Sequence, residues 1–315
     1  MKEYLFLIII LLFNLQIIAQ NPNQMFNPVT VNITAGKPSF PVEGVAPVIL
    51  EVKNETAYEI SVLLPYPNPN NLTFHSLHLN RKKTTTEPIE RTAPTYIAAG
   101  ETYREIYYLN RYFFLKREGS FEINYQLDIT IEQPNTAIDG YHFEGSFVIQ
   151  IVKKPTEDLK KQYAFYAEHL TSSDPHTREK AGEALSFLDT PLCIEYVIPM
   201  LSVSNLEIPG IKALSRFKTA RTEKAILGML SHTSSAVVSE AIQALESMQV
   251  TIERRYFLQM LSSTNASIRY TGLLQLEKKP DKNDRPLIEP LCNDLNTAVA
   301  SKAKSYFSIL DNPAE

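Results

Sequence analysis

Residues 265–277 read NASIRYTGLLQLE. Asn265 is a helix-capping residue type, with a side-chain oxygen that can accept from an orphan backbone N–H. Seven residues later comes Gly272, and one helical turn after it Leu276. The pairing of a small residue with a large apolar one four positions on recurs through the second half of the chain. It is found at Ala181/Leu185, Gly210/Leu214, Ala241/Leu245, Gly272/Leu276 and Ala303/Phe307, in steps of 29, 31, 31 and 31 residues. A second ladder precedes each later pair: Val197, Ile226, Phe257 and Ile288, with Leu201, Leu230, Leu261 and Cys292 four residues further on. Capping types stand seven residues before the small residue in four copies, as Asp174, Ser234, Asn265 and Asn296. The second copy has Val203 there, so Ser204 is the expected cap.

A repeat of this length is one supersecondary unit that cannot bury its apolar faces alone. The small residue lets two helices approach, and the large one fills the seam a turn later. Stacking such pairs makes a continuous core. The periodicity predicts about five helix pairs over residues 156–315, with Thr156–Leu170 as the first helix of the first pair.

The pattern resembles the HEAT-repeat family of armadillo-like helical solenoids. In that family an Asp near the second-helix start is often followed by an Arg. Asp174 with Arg178 fits this, and Asn265 with Arg269 fits in part, whereas Glu207, Val238 and Ala300 occupy the Arg position elsewhere. Tyr306 replaces the Ala184, Ala213 and Ala244 of other copies, as a terminal cap would. The resemblance implies an extended protein-binding surface on the second helices. Its candidate partner contacts are Arg178, Lys212, Arg216, Arg269 and Tyr270. Some proteins with similar short repeats attach bilin chromophores, a role that export makes a poor fit.

From Asn27 to Val152 the period changes to two. Strand-like runs are Val29–Thr34, Val48–Val52, Tyr58–Leu64, Leu72–Leu79, Thr102–Leu109, Phe121–Ile131 and His142–Val152, punctuated by Gly, Pro and Asn clusters. Short strands with such punctuation predict an antiparallel sandwich over residues 20–153. Phe121, Ile123, Tyr125 and Leu127 share one face, and Glu122, Asn124, Gln126 and Asp128 the other. Residues 98–127, AAGETYREIYYLNRYFFLKREGSFEINYQL, resemble a segment of immunoglobulin-like domains in which a Gly precedes the aromatic opening a late strand. Gly119 and Phe121 stand there, without a tyrosine hydroxyl and without the Cys–Trp–Cys core. EGSF occurs at Glu118–Phe121 and again at Glu144–Phe147, read as a local feature around a Gly rather than a paired loop. Val152–Pro155 marks the domain boundary. The fold class expected is therefore all-β followed by all-α.

Residues 4–13, YLFLIIILLF, form an apolar run of about ten, half of what a membrane span needs. Lys2 precedes it, and Ile17 and Ala19 make a small-residue cleavage site. This reads as a secretory signal peptide over residues 1–19. The mature chain is expected to be exported, periplasmic or secreted, with no integral membrane span. The chain has 31 basic and 35 acidic residues, a net charge of −4. That balance offers no strong basic footprint for nucleic acid. Two cysteines exclude a disulfide scaffold.

Catalytic motifs are missing from the sequence: it has no HExxH, P-loop, GxSxG or strand-following GxGxxG. His75 and His78 would point to opposite strand faces, so no metal ligand set is expected. Cofactors are expected to be none. Cys292 holds a core-ladder position, and Cys193 lies too far along the array to bridge to it. The four Asn-x-Ser/Thr sequons, at Asn32, Asn54, Asn71 and Asn265, read as coincidence. Two basic–aromatic patches remain: Arg81–Lys83 in a polar loop, read as solvated, and Lys160, Lys161, Tyr163, Phe165 and Tyr166, read as packing. The leading expectation is an exported non-catalytic binding or scaffold protein with a protein partner. The alternative is adhesion or glycan binding by an aromatic platform of Tyr107, Tyr108, Tyr112 and Phe113. Signal cleavage after Ala19 predicts that N-terminal sequencing of the exported protein starts at Gln20; an intact Met1 on exported material would overturn it.

Overall fold

The computed structural model describes residues 27–64, 72–82, 94–133 and 138–311. The expected signal at 1–19, the sequon residue Asn71 and the basic residue Lys83 lie outside the described residues. Two compact units divide the chain, one ending at Leu159 and the next starting at Lys160.

The first unit contains β1 (Val29–Ala35), β2 (Ser39–Pro41), β3 (Pro47–Asn54), β4 (Ile60–Leu63), β5 (Leu72–His75), β6 (Thr95–Ile97), β7 (Thr102–Tyr108), β8 (Gly119–Glu132) and β9 (Asp139–Val152). One sheet runs β1-β3-β7; the other runs β2-β9-β8-β4-β6, with β5 also on β8. A single apolar core joins them, built from Val48, Leu50 and Val52 on one side and Phe74, Ile123, Leu127 and Ile149 on the other. The period-two reading of β8 holds: Phe121, Ile123 and Leu127 are buried, Tyr125 is half-buried, and the residues between them are exposed. Phe74 meets Tyr112 edge-on at 4.9 Å between ring centroids, an arrangement that aromatic quadrupoles favour.

The expectation of a wholly antiparallel arrangement needs correction, because β2 pairs parallel with β9. This three-residue strand lies at the sheet edge, where Pro41 and its missing N–H are tolerated. Phe40, 1% exposed, anchors it in the core. Two buried asparagines tie the loops. The Asn54 amide donates to the carbonyls of Tyr58, Ile97 and Ala98 at 2.7–3.1 Å and accepts from Thr56. The Asn110 side chain donates to the Gly44 carbonyl and accepts from the Ala46 N–H, each at 2.8 Å. The two EGSF segments differ. Gly119 opens β8 with φ of +146°, while Gly145 lies inside β9 beneath the Tyr125 ring.

The described α-helices are α1 (Thr156–His169), within which the second unit begins, α2 (Pro175–Ser186), α3 (Ile194–Val197), α4 (Glu207–Leu214), α5 (Ala220–Gly228), α6 (Ser235–Ser247), α7 (Arg254–Met260), α8 (Ala266–Glu277), α9 (Arg285–Ile288) and α10 (Thr297–Asp311). The even-numbered helices from α2 to α10 contact one another in succession. Their small residues are buried at the seams, as the ladder requires. A Cβ added to Gly272 would lie 2.9 Å from the Phe257 carbonyl oxygen and 3.0 Å from Met260 Cβ. Val197, Ile226 and Ile288 are fully buried.

Asp174 and Asn265 cap α2 and α8 through their side chains, and Asn296 accepts from Ala298 and Val299 at the start of α10. Ser234 occupies the cap position of α6 without a side-chain bond. Ser204 does not cap α4. The chain turns through Asn205 at φ of +71°, and the buried Leu206 takes the cap position. Leu206 lies against Gly182, so apolar burial rather than a hydroxyl sets this helix start. Two odd-numbered helices are only one turn long and are flanked by 3-10 turns at 191–193, 198–202, 282–284 and 289–293. Pro199 and Pro290 lack the N–H that continuation of an α-helix requires. Cys292 is half-buried rather than enclosed, because it sits in the last of these turns.

Gly272→Ala is expected to lower unfolding stability by about 1–3 kcal/mol, because backbone rather than a flexible side chain blocks the methyl. Gly228→Ala meets nothing within 4 Å and is expected to be neutral or slightly stabilising. Urea denaturation of both variants checks this; equal losses would show that close approach is not the constraint.

Candidate functional site

The five residues singled out on the helices have different surroundings. Arg178 Nη1 donates to the carbonyls of Ser172 at 2.7 Å and Ser173 at 3.2 Å. Arg269 repeats the arrangement, with Nη1 on the carbonyls of Ser263 at 2.8 Å and Thr264 at 3.1 Å. In both copies the Arg closes the turn that leads into its own helix. Arg269 also forms a bidentate pair with Asp294, at 2.7 Å for each bond. Arg216 donates to the carbonyls of Ser186 and Leu188 in the preceding copy. Lys212 lies 3.8 Å from Glu240 across to the next even-numbered helix. Tyr270 is 38% exposed, and Leu274, one turn on, is 40% exposed. The arginines thus bind their own fold, and the open part of this face centres on Tyr270 and Leu274.

Sequence reasoning missed a buried network at the end of the array. Asp284, 3% exposed, takes both Nε and Nη2 of Arg254 and the Tyr306 hydroxyl, the last at 2.7 Å. Arg254 Nη1 also donates to the Lys279 carbonyl at 2.6 Å. Tyr306 therefore does more than fill the space that alanine leaves in other copies. The only sequence signal was its departure from the repeat.

The alternative platform is corrected. Tyr107, Tyr108, Tyr112 and Phe113 are 4%, 2%, 4% and 1% exposed, so they are core. Strand alternation stops at Tyr108, where the chain enters a 3-10 turn at Leu109–Arg111 that folds Tyr112 and Phe113 inward. Their neighbour Phe114 is half-buried beside a different constellation. Segments 78–82 and 112–117 run antiparallel, joined by an Arg81–Phe113 bridge, Lys82 N–H to the Tyr112 carbonyl at 2.8 Å and Phe114 N–H to the Asn80 carbonyl at 3.0 Å. This brings the basic loop singled out in the sequence beside Lys116 and Arg117. The Lys82 and Lys116 ammonium groups lie 5.2 and 5.5 Å from the centre of the Phe114 ring. Arg117 Nη2 donates to the His78 carbonyl at 2.7 Å. An open cleft of 340 Å³ results, lined by His78, Leu79, Asn80, Phe114, Lys116 and Arg117.

Other singled-out groups have structural roles. Asn54 is fully buried, and its amide is occupied by carbonyls, which closes that sequon in the folded chain. Asn265 is a helix cap. His75 ends β5 and His78 lies beyond it, so they do not share a strand. Among the described residues, no three His, Cys, Asp or Glu side chains group so as to hold a metal ion, and no helix is long and apolar enough to cross a membrane. Burial pushes the Cys193 thiol up to about 12. Tyr163 is fully buried, edge-on to Tyr196.

No protein-family model and no curated protein matches the chain. Among solved structures, the human CEP192 PapD-like domain 7 aligns at 11% identity over 44% of this chain and 98% of that domain, with a TM-score of 0.23. Methylamine-reacted Salmonella alpha-2-macroglobulin aligns at 10% identity over 89% of this chain and only 26% of its own, with a TM-score of 0.24. Escherichia coli alpha-2-macroglobulin, from domain MG7 to the C-terminus, aligns at 11% identity over 92% of this chain and 67% of its own, with a TM-score of 0.26. At such scores none of them bears on the function of this chain.

The Arg269 hydrogen bonds hold the Asp294 carboxyl below its ordinary pKa. A depressed carboxylate adds stability above the unfolded pKa of about 3.9, and that stability is lost as pH falls through the folded value. Asp294→Asn is therefore expected to be less stable than the parent chain at neutral pH, with the gap closing as the pH falls below the unfolded carboxyl's pKa and on through the depressed folded one. Denaturation midpoints across that range check it. A constant gap would place the role of Asp294 in shape rather than charge.

Proposed function

We propose that this protein is an exported, non-catalytic binding or scaffold protein. In this reading the first unit is an immunoglobulin-like sandwich and the second a HEAT-like solenoid that presents its even-numbered helices to a protein partner. The succession of contacts from α2 to α10 supports the solenoid reading, as does the repetition of the Arg178 turn closure at Arg269. The two sheets around one core support the sandwich reading. The export reading rests on the N-terminal sequence.

One observation carries the binding surface. Tyr270 and Leu274 leave a tyrosine and a leucine in water, one turn apart on α8, while the neighbouring arginines are tied down. Tyrosine anchors are enriched at protein interfaces because they add apolar area and a polar tip at little entropic cost. Charge reversal at Arg269 would break its bond to Asp294, so the informative substitutions are Tyr270→Ala and Leu274→Gln.

A photo-crosslinking amino acid placed at position 274 in the native host is expected to give one discrete protein adduct. The same group at position 224, on α5, serves as the control. Tyr270→Ala should abolish the adduct while changing stability by no more than about 1 kcal/mol. Equal labelling at 274 and 224, or none at 274, would remove this face from the binding role.

A further inference from the structure

We infer that the cleft beside Phe114 binds an oxyanion-bearing sugar, a sulfated or uronic acid residue of an acidic glycan. The inference is independent of the helical face. Its basis is a juxtaposition: two basic segments, 34 to 36 residues apart in the chain, meet across one bridge and frame a cleft of 340 Å³. That volume is at the lower end of small-molecule sites and suits one or two sugar rings.

Lys116 and Arg117 line the cleft, and Arg81 and Lys82 stand on the segment paired with theirs. Arg81, Lys82, Lys116 and Arg117 concentrate four cations in a molecule whose net charge is −4. Other cations of the chain are held by carboxylates, as Arg254 is by Asp284, Arg269 by Asp294, Lys278 by Glu246 and Arg104 by Glu51. Lys116 and Arg117 are exposed, and among the described residues neither has a carboxylate within 4.0 Å. Arg117 uses one N–H on the His78 carbonyl and lies over Phe121 at 5.8 Å, which restrains it while its guanidinium keeps donors to spare. The Phe114 ring restrains Lys116 in the same way. Cations held in place lose less freedom on binding than free-swinging ones, and charge-assisted bonds to an oxyanion are the strong kind.

The neutral lining narrows the ligand. The Asn80 amide and the His78 imidazole supply hydrogen-bond partners for hydroxyl groups beside the oxyanion. Base recognition would need an open aromatic face. The one aromatic ring in the lining already holds two ammonium groups, which disfavours a single-stranded nucleic acid.

Calorimetric titration of the mature chain tests this. The probes are a sulfated chondroitin disaccharide, digalacturonate, maltotriose, inorganic sulfate and hexaglutamate. At least one acidic sugar is expected to bind at least tenfold more tightly than maltotriose, inorganic sulfate and hexaglutamate. The double variant Lys116→Gln/Arg117→Gln, at two exposed positions, should lose roughly tenfold or more in affinity for it. The exposed pair Lys153→Gln/Lys154→Gln should retain the parent affinity, and circular dichroism should show both variants folded. Absence of binding to both acidic sugars overturns the inference. So does inorganic sulfate or hexaglutamate binding as tightly, or the control pair losing as much as the cleft pair.

Discussion

A backbone carbonyl that leaves water must find a donor, and both units of this protein are organised around that demand. Their turns are tight and partly enclosed, so regular ladders cannot satisfy them. Side chains do it instead. Asn54 and Asn110 serve the loops between strands. Arg178, Arg216, Arg254 and Arg269 serve the turns between helices. A guanidinium suits this work because its donors form a rigid fork that can reach two carbonyls and a carboxylate at once. The capping type followed by Arg four residues later is thus a device for closing a turn. One side chain satisfies helix N–H groups and the other the carbonyls just before them.

That demand separates structural polar residues from those available to a ligand. A charged residue drawn into turn closure has a fixed partner and contributes little to an outside one. Lys116 and Arg117 stand where two segments meet without a turn carbonyl for each donor, and Tyr270 and Leu274 stand exposed on α8. The two surfaces differ in chemistry, one cationic and the other a tyrosine beside a leucine.

The helical half was legible because its information is periodic and local: small residue, large residue, cap. Where it was misread, a competing force had won. Leu206 burial displaced Ser204 as the start of α4, and Pro199 and Pro290 cut their helices into short turns. Long strands such as β8 were legible by alternation, whereas three-residue strands such as β2 and β6 carry too few residues for a period to show. Alternation also misled at Tyr107–Phe113, because it gives no warning of where a strand ends. The basic cleft was half visible. The loop at Arg81 stood out as charged, but its meeting with Lys116 depends on one long-range bridge that no local pattern encodes.

The Arg254–Asp284–Tyr306 contact has a consequence for how the array can be divided. It links α7, the turn before α9, and α10, so its three members belong to the last two helix pairs. The same pairs share one apolar cluster running from Leu261 to Leu310. A stack of interchangeable repeats could be shortened at any boundary. This one has no clean cut after Pro280, because truncation there would take away the Asp284 and Tyr306 partners of the half-buried Arg254 and open the seam above α8. The last two described pairs therefore stand or fall together, a dependence that a pair-by-pair description of the chain would not reveal.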